Sequence, residues 1–60
     1  MFDSDGEKLK NGRAYRICGK NRDGQRKWLE HNVYGCRVRS VIERAEGWGW
    51  TELTVCRDLF

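Results

Sequence analysis

Arg37-Val38-Arg39-Ser40-Val41-Ile42-Glu43-Arg44-Ala45-Glu46 is the stretch that decides the fold. Read at the strand period of two, it sets Val38, Ser40 and Ile42 on one side and Arg37, Arg39, Val41 and Glu43 on the other. Read at the helical period, Val38, Val41, Ile42 and Ala45 fall at i, i+3, i+4 and i+7, with Gly47 as the C-cap. Three β-branched residues in ten, and a length near the helical minimum, favour the strand. The stretch then turns at Glu46-Gly47 and pairs Val38 with Val55, Ser40 with Leu53 and Ile42 with Thr51. Residues 51–56 form a strand under either reading.

The chain before it carries the rhythm of a meander. There is no proline, and Asn11-Gly12, Asp23-Gly24, Gly35 and Glu46-Gly47 punctuate it at intervals of about a dozen residues. Residues 13–19 and 25–34 suit a hairpin. A two-residue Asp23-Gly24 loop would set Ile17 opposite Glu30 and mix the faces. A three-residue Arg22-Asp23-Gly24 loop, with the glycine left-handed in a bulge, pairs Ile17 with Leu29 and Tyr15 with His31. That register puts Tyr15, Ile17, Leu29 and Val33 on one face and Ala14, Arg16 and Cys18 on the other. The expected fold is all-β, a small antiparallel four-stranded meander or partly open barrel. The alternative is α+β with one short helix near 37–46. Residues 1–8 read as an acidic flexible tail or lead-in strand, and 9–60 as a single small β-rich domain.

Composition limits what such a chain does. A 60-residue domain hides only about 60% of the surface its unfolded form exposes. Hydrophobic residues are 38% and charged residues 35%, so the core is small. Three Trp, two Tyr and two Phe compensate in part, at about 150–250 Å² buried each, and a homo-oligomer or a partner would complete it. No apolar run reaches the roughly 18 residues of a membrane span. Met1-Phe2-Asp3-Ser4-Asp5 is acidic and polar, the reverse of a secretory signal. Cys18, Cys36 and Cys56 cannot all pair within one chain, which fits a cytoplasmic protein with reduced thiols.

Charge is where the sequence is most informative. Between Lys8 and Lys27 lie eight of the twelve basic residues and one acid, Asp23. Surfaces that only solubilise intersperse both signs, so this segregation points to a polyanionic partner. On the hairpin, Arg16 and Arg26 point away from the apolar face, while Lys20, Arg22 and Lys27 gather at the turn. Arg37 and Arg39 extend the same surface from the neighbouring strand. Trp48-Gly49-Trp50 places two indoles on one face of a strand near a hairpin tip, suited to stacking on bases or anchoring an interface. Trp28, beside Leu29, reads as structural.

Other chemistries find little here. Cys18, His31, Cys36 and Cys56 lack the two- to four-residue knuckle spacing of zinc sites, so no metal is expected. His31 is the single histidine, and a small nuclease would have to rest on it. No phosphate-binding glycine loop, serine elbow or carboxylate pair implies a catalytic site or a cofactor.

Asn21-Arg22-Asp23-Gly24-Gln25-Arg26-Lys27-Trp28-Leu29-Glu30, followed by Thr54-Val55-Cys56-Arg57-Asp58, resembles the C-terminal strands of PAS sensor domains. Those strands often read Asp-Gly, then Trp-x-Glu, and end in Arg-Asp. The family's N-terminal strands and helices, which wall its cofactor pocket, have no room in 60 residues. The resemblance therefore implies no ligand and no sensory role.

The expected function is that of a small basic, non-enzymatic binding module on a nucleic-acid phosphate backbone. Lys10, Arg13, Arg16, Lys20, Arg22, Arg26 and Lys27 would contact phosphates, with Arg37 and Arg39 beside them and Trp48 and Trp50 stacking. The alternative is a small modulator or inhibitor, of the kind phages and mobile elements encode, docked on a larger host protein or ribonucleoprotein complex. There the arginines would meet an acidic or nucleic-acid-binding surface and the tryptophans would anchor the interface.

Overall fold

The computed structural model describes residues 2–58. The elements run β1 (Ala14–Lys20), β2 (Arg26–Tyr34), α1 (Gly35–Gly47) and β3 (Thr51–Arg57). The strands form one three-stranded antiparallel sheet in the order β2-β1-β3. The expected fourth strand is a helix, so the architecture is α+β and not a closed barrel. The chain passes from β2 through α1 to the far side of β1, where β3 pairs.

Tertiary demand overrides local propensity in 37–46. As a strand, this segment would leave Val41 on the solvent side. As a helix it turns Val38, Val41 and Ala45 inward together, all buried, with Ile42 half-buried beside them. The β1–β2 hairpin has an apolar face that needs a lid, and a two-stranded ribbon alone is marginal. Thirteen helical residues span about 20 Å, roughly the length of β1. The core is Tyr15, Ile17, Val33, Val38, Val41 and Val55, with Leu9, Leu29, Ile42 and Leu53 packed around it. The inner face expected of the hairpin is observed.

Both helix ends are set by glycine. Gly35 donates its N–H to the Arg13 carbonyl at 3.1 Å, and any Cβ there would run into the Lys10 backbone carbonyl. The helix thus starts with no loop after β2. At the other end Gly47 is still helical and Trp48 is the C-cap, displacing the glycine stop by two residues to Gly49. Gly49 is left-handed (φ 93°), and its N–H meets the Glu46 carbonyl while that of Trp50 meets the Ala45 carbonyl, each at 3.0 Å. This is a Schellman closure.

The turn between β1 and β2 is the three-residue loop with left-handed Gly24 (φ 80°), closed by an Asn21 N–H to Gln25 carbonyl bond of 3.0 Å. Asn21 Oδ1 also accepts the N–H groups of Asp23 and Gln25, at 3.0 Å each. The expected register holds next to the turn, where Cys18 faces Trp28 and Lys20 faces Arg26. It then slips twice: Ile17 faces Glu30, not Leu29, and Tyr15 faces Val33, not His31. Two bulges therefore make β2 nine residues against seven in β1. Asn32 is left-handed (φ 56°), and its N–H is taken by an Asp58 carboxylate oxygen at 2.8 Å.

The acidic lead-in forms a closed turn. Asp3 is buried, and its carboxylate accepts the N–H groups of Asp5 (2.9 Å) and Glu7 (3.0 Å). The Ser4 N–H donates to the Val55 carbonyl at 2.7 Å, tying this turn to β3. No helix among the described residues is long and apolar enough to cross a membrane.

Candidate nucleic-acid interface

Because α1 covers only one face of the sheet, the opposite face is open. Alternation along β1 puts Arg16, Cys18 and Lys20 on it, each half-buried between buried Tyr15, Ile17 and Gly19. Pairing carries Trp28 and Arg26 of β2 to the same side, opposite Cys18 and Lys20. Thr54 and Cys56 of β3 lie opposite Cys18 and Arg16.

Trp28 stands on this face near the turn end of the edge strand β2 and is 58% exposed. The Arg16 guanidinium carbon lies 4.5 Å from the centroid of its ring, a cation–π contact that holds the indole upright. Arg16 Nε is buried and unpartnered among the described residues. On the turn side of the indole lies a small cleft of about 170 Å³ walled by Cys18, Arg26, Lys27 and Trp28.

Not every cation here is free. Lys20 Nζ pairs with Glu52 Oε2 at 2.9 Å. The Lys20 hydrogen bond and charge hold the Glu52 carboxyl below the ordinary carboxylate range, with a smaller contribution from Arg26. Both partners are exposed, so the pair adds little to stability. The other ion pair among the described residues, Arg57 with Asp5 at 3.2 Å, lies at the far end of β3.

The nine expected contact residues divide by position. Arg16, Lys20 and Arg26 share the open face, with Arg22 and Lys27 at its turn end. Arg22 leans on Gly49 and, with Gly47 and Trp48, lines a shallow groove at the end of α1. Lys10 and Arg13 precede β1, about 20 Å from the turn by strand rise. Arg37 and Arg39 are exposed on α1, on the other side of the sheet. They do not extend the strand surface, because their segment is helical.

The tryptophans change places relative to the sequence reading. Trp48 is 57% exposed but caps a helix, and Trp50 is half-buried within the Schellman turn. Neither is on a strand, so they do not share a strand face. Trp28, read as structural, is an exposed ring on the sheet, as is Tyr34 at the other end of β2. The signal was present: the three-residue loop that turns Cys18 outward also turns out its partner.

Cys18, Cys36 and Cys56 are free thiols. No three His, Cys, Asp or Glu side chains among the described residues gather into a metal-binding cluster. No protein-family model matches this chain, nor does any curated protein or solved structure.

Proposed function

We propose that this protein is a non-enzymatic nucleic-acid binder whose contact surface is the open face of its sheet. One observation carries the reading: an exposed indole, Trp28, stands on that face near the turn end of the edge strand β2, braced by Arg16 and next to Arg26. What distinguishes this ring from the other exposed aromatics is its setting among cations, and that charge chooses the partner. Among the described residues no carboxylate is within ion-pair distance of Arg16, Arg22, Arg26 or Lys27. Phosphates would meet these four cations, and the guanidinium forks of the three arginines suit paired phosphate oxygens. Lys10, Arg13, Arg37 and Arg39 contribute a general positive field that speeds encounter.

A salt series tests this. With three to four phosphates engaged, log affinity for a labelled oligonucleotide falls with log salt at a slope of about −2 to −3.6, depending on strandedness. An isotherm flat between low and moderate salt overturns the proposal. So does a nuclease-treated pull-down that recovers a protein from which excess oligonucleotide displaces nothing. That result would make the sheet face a docking surface for an acidic protein.

A further inference from the structure

We infer that the nucleic acid is single-stranded and that one unpaired base enters the cleft between Trp28 and Arg26. This rests on the nucleic-acid reading and adds strandedness and a seat for the base. Arg16 covers one side of the indole at 4.5 Å and is not a wall of the cleft. The cleft, lined by Cys18, Arg26, Lys27 and Trp28, therefore opens on the ring's other side. A planar ring placed there has the indole on one side and the neighbouring Arg26 on the other, with Cys18 of β1 and Lys27 completing the walls. That is a stacking seat, apolar across its faces and cationic at its rim.

A base inside a duplex cannot use such a seat. Its faces are covered by neighbouring pairs and its edge is hydrogen-bonded, and a ring rooted in a sheet has no reach into the stack. An unpaired base leaves its weaker self-stacking for the indole at no pairing cost. The backbone of the same strand then passes Arg16 on one side of the indole and Arg26 and Lys27 on the other; Arg22 leans on Gly49 at the end of α1 and is not beside the cleft. From Arg16 to Lys20, the length of β1 beneath them, is only about 13 Å, so the footprint is a few nucleotides. Lys20 stays with Glu52 and is not part of it.

Fluorescence anisotropy with a labelled single strand, the matching blunt duplex and a single strand carrying one abasic position per footprint tests the inference. The single strand should bind at least ten-fold more tightly than the duplex at equal salt. Trp28→Leu should weaken single-strand binding by about 5- to 150-fold, the range of one base–aromatic stack, and leave the salt slope unchanged. Trp28→Phe should restore most of the loss. Alkylation by iodoacetamide gives a second readout. Bound single strand should slow modification of Cys18 in the cleft wall and not of Cys36, which is exposed on α1. Equal binding of duplex, or normal affinity in Trp28→Leu while Arg26→Ala weakens binding, overturns base insertion and leaves the nucleic-acid reading standing. Binding of no oligonucleotide removes both.

Discussion

The two faces of the same three strands obey different rules. On the inner face Tyr15, Ile17, Val33 and Val55 are at most 6% exposed under α1, and any change of shape or polarity there is felt by the whole fold. On the outer face Cys18, Arg26, Lys27 and Trp28 line a shallow cleft that contributes little to the core. The inner face determines whether the chain folds, and on the proposed function the outer face determines what it meets. Substitutions should separate the two cleanly.

The largest effect belongs to the inner face. Ile17→Ala should cost about 2–5 kcal/mol, out of a total near 3–9 kcal/mol for a chain of 60 residues, and thermal denaturation would show a largely unfolded protein. By contrast, Trp28→Ala should change stability by under about 1 kcal/mol, the value of its Arg16 contact. A Trp28→Ala protein that fails to fold would break the distinction. Gly35→Ala comes next, at about 3 kcal/mol, because its methyl group meets backbone that cannot move aside. Chemical denaturation midpoints measure both.

Smaller effects sharpen the outer face. Glu52→Gln should free Lys20 and steepen the salt slope of single-strand binding by about 0.7, one further phosphate. An unchanged slope would show that Lys20 is out of reach of the strand. The same pair gives an acid signature. Since Lys20 lowers the Glu52 pKa in the folded state, its contribution is present above the unfolded value of about 4.5 and is lost as pH falls through the folded one. Glu52→Gln should remove that small acid-side slope from a stability–pH profile. The smallest expected change is a gain: Tyr34 is an N-cap with no side-chain hydrogen bond, and Tyr34→Ser should add about 0.5–1 kcal/mol.

What could be read in advance follows the range of the interactions involved. The Arg22-Asp23-Gly24 loop was legible because a left-handed glycine and an asparagine that caps its own turn are local signals. The apolar alternation of Tyr15, Ile17 and Val33 was legible too, since a one-residue slip would expose all of it. The helix was not. Its β-branched residues argue locally for strand, and the bare inner face of the hairpin, which includes Tyr15 and Ile17 more than twenty positions upstream, decides for the helix by turning Val38, Val41 and Ala45 inward together. The slip between Ile17 and Tyr15 likewise contains Asn32, whose N–H is taken by Asp58, 26 residues further on. In the candidate site, clustering placed Arg16, Lys20, Arg22, Arg26 and Lys27 at one end of the hairpin. Arg37, Arg39, Trp48 and Trp50 were misplaced with the helix they belong to. Trp28 was overlooked because its flanking residues suggested burial, although its pairing with Cys18 implied the reverse.

The slips in β2 also bear on crowding. An outermost strand with an unbroken row of peptide groups is a template on which another copy can lay its own strand and begin a fibre. In β2 that row is interrupted twice, and left-handed Asn32 turns one peptide inward to Asp58. On the opposite margin, Ser4 already occupies the Val55 carbonyl. Neither border offers a long uninterrupted ribbon, so the sheet is self-limiting, and a protein with so small a core can expose one whole face without growing into an aggregate.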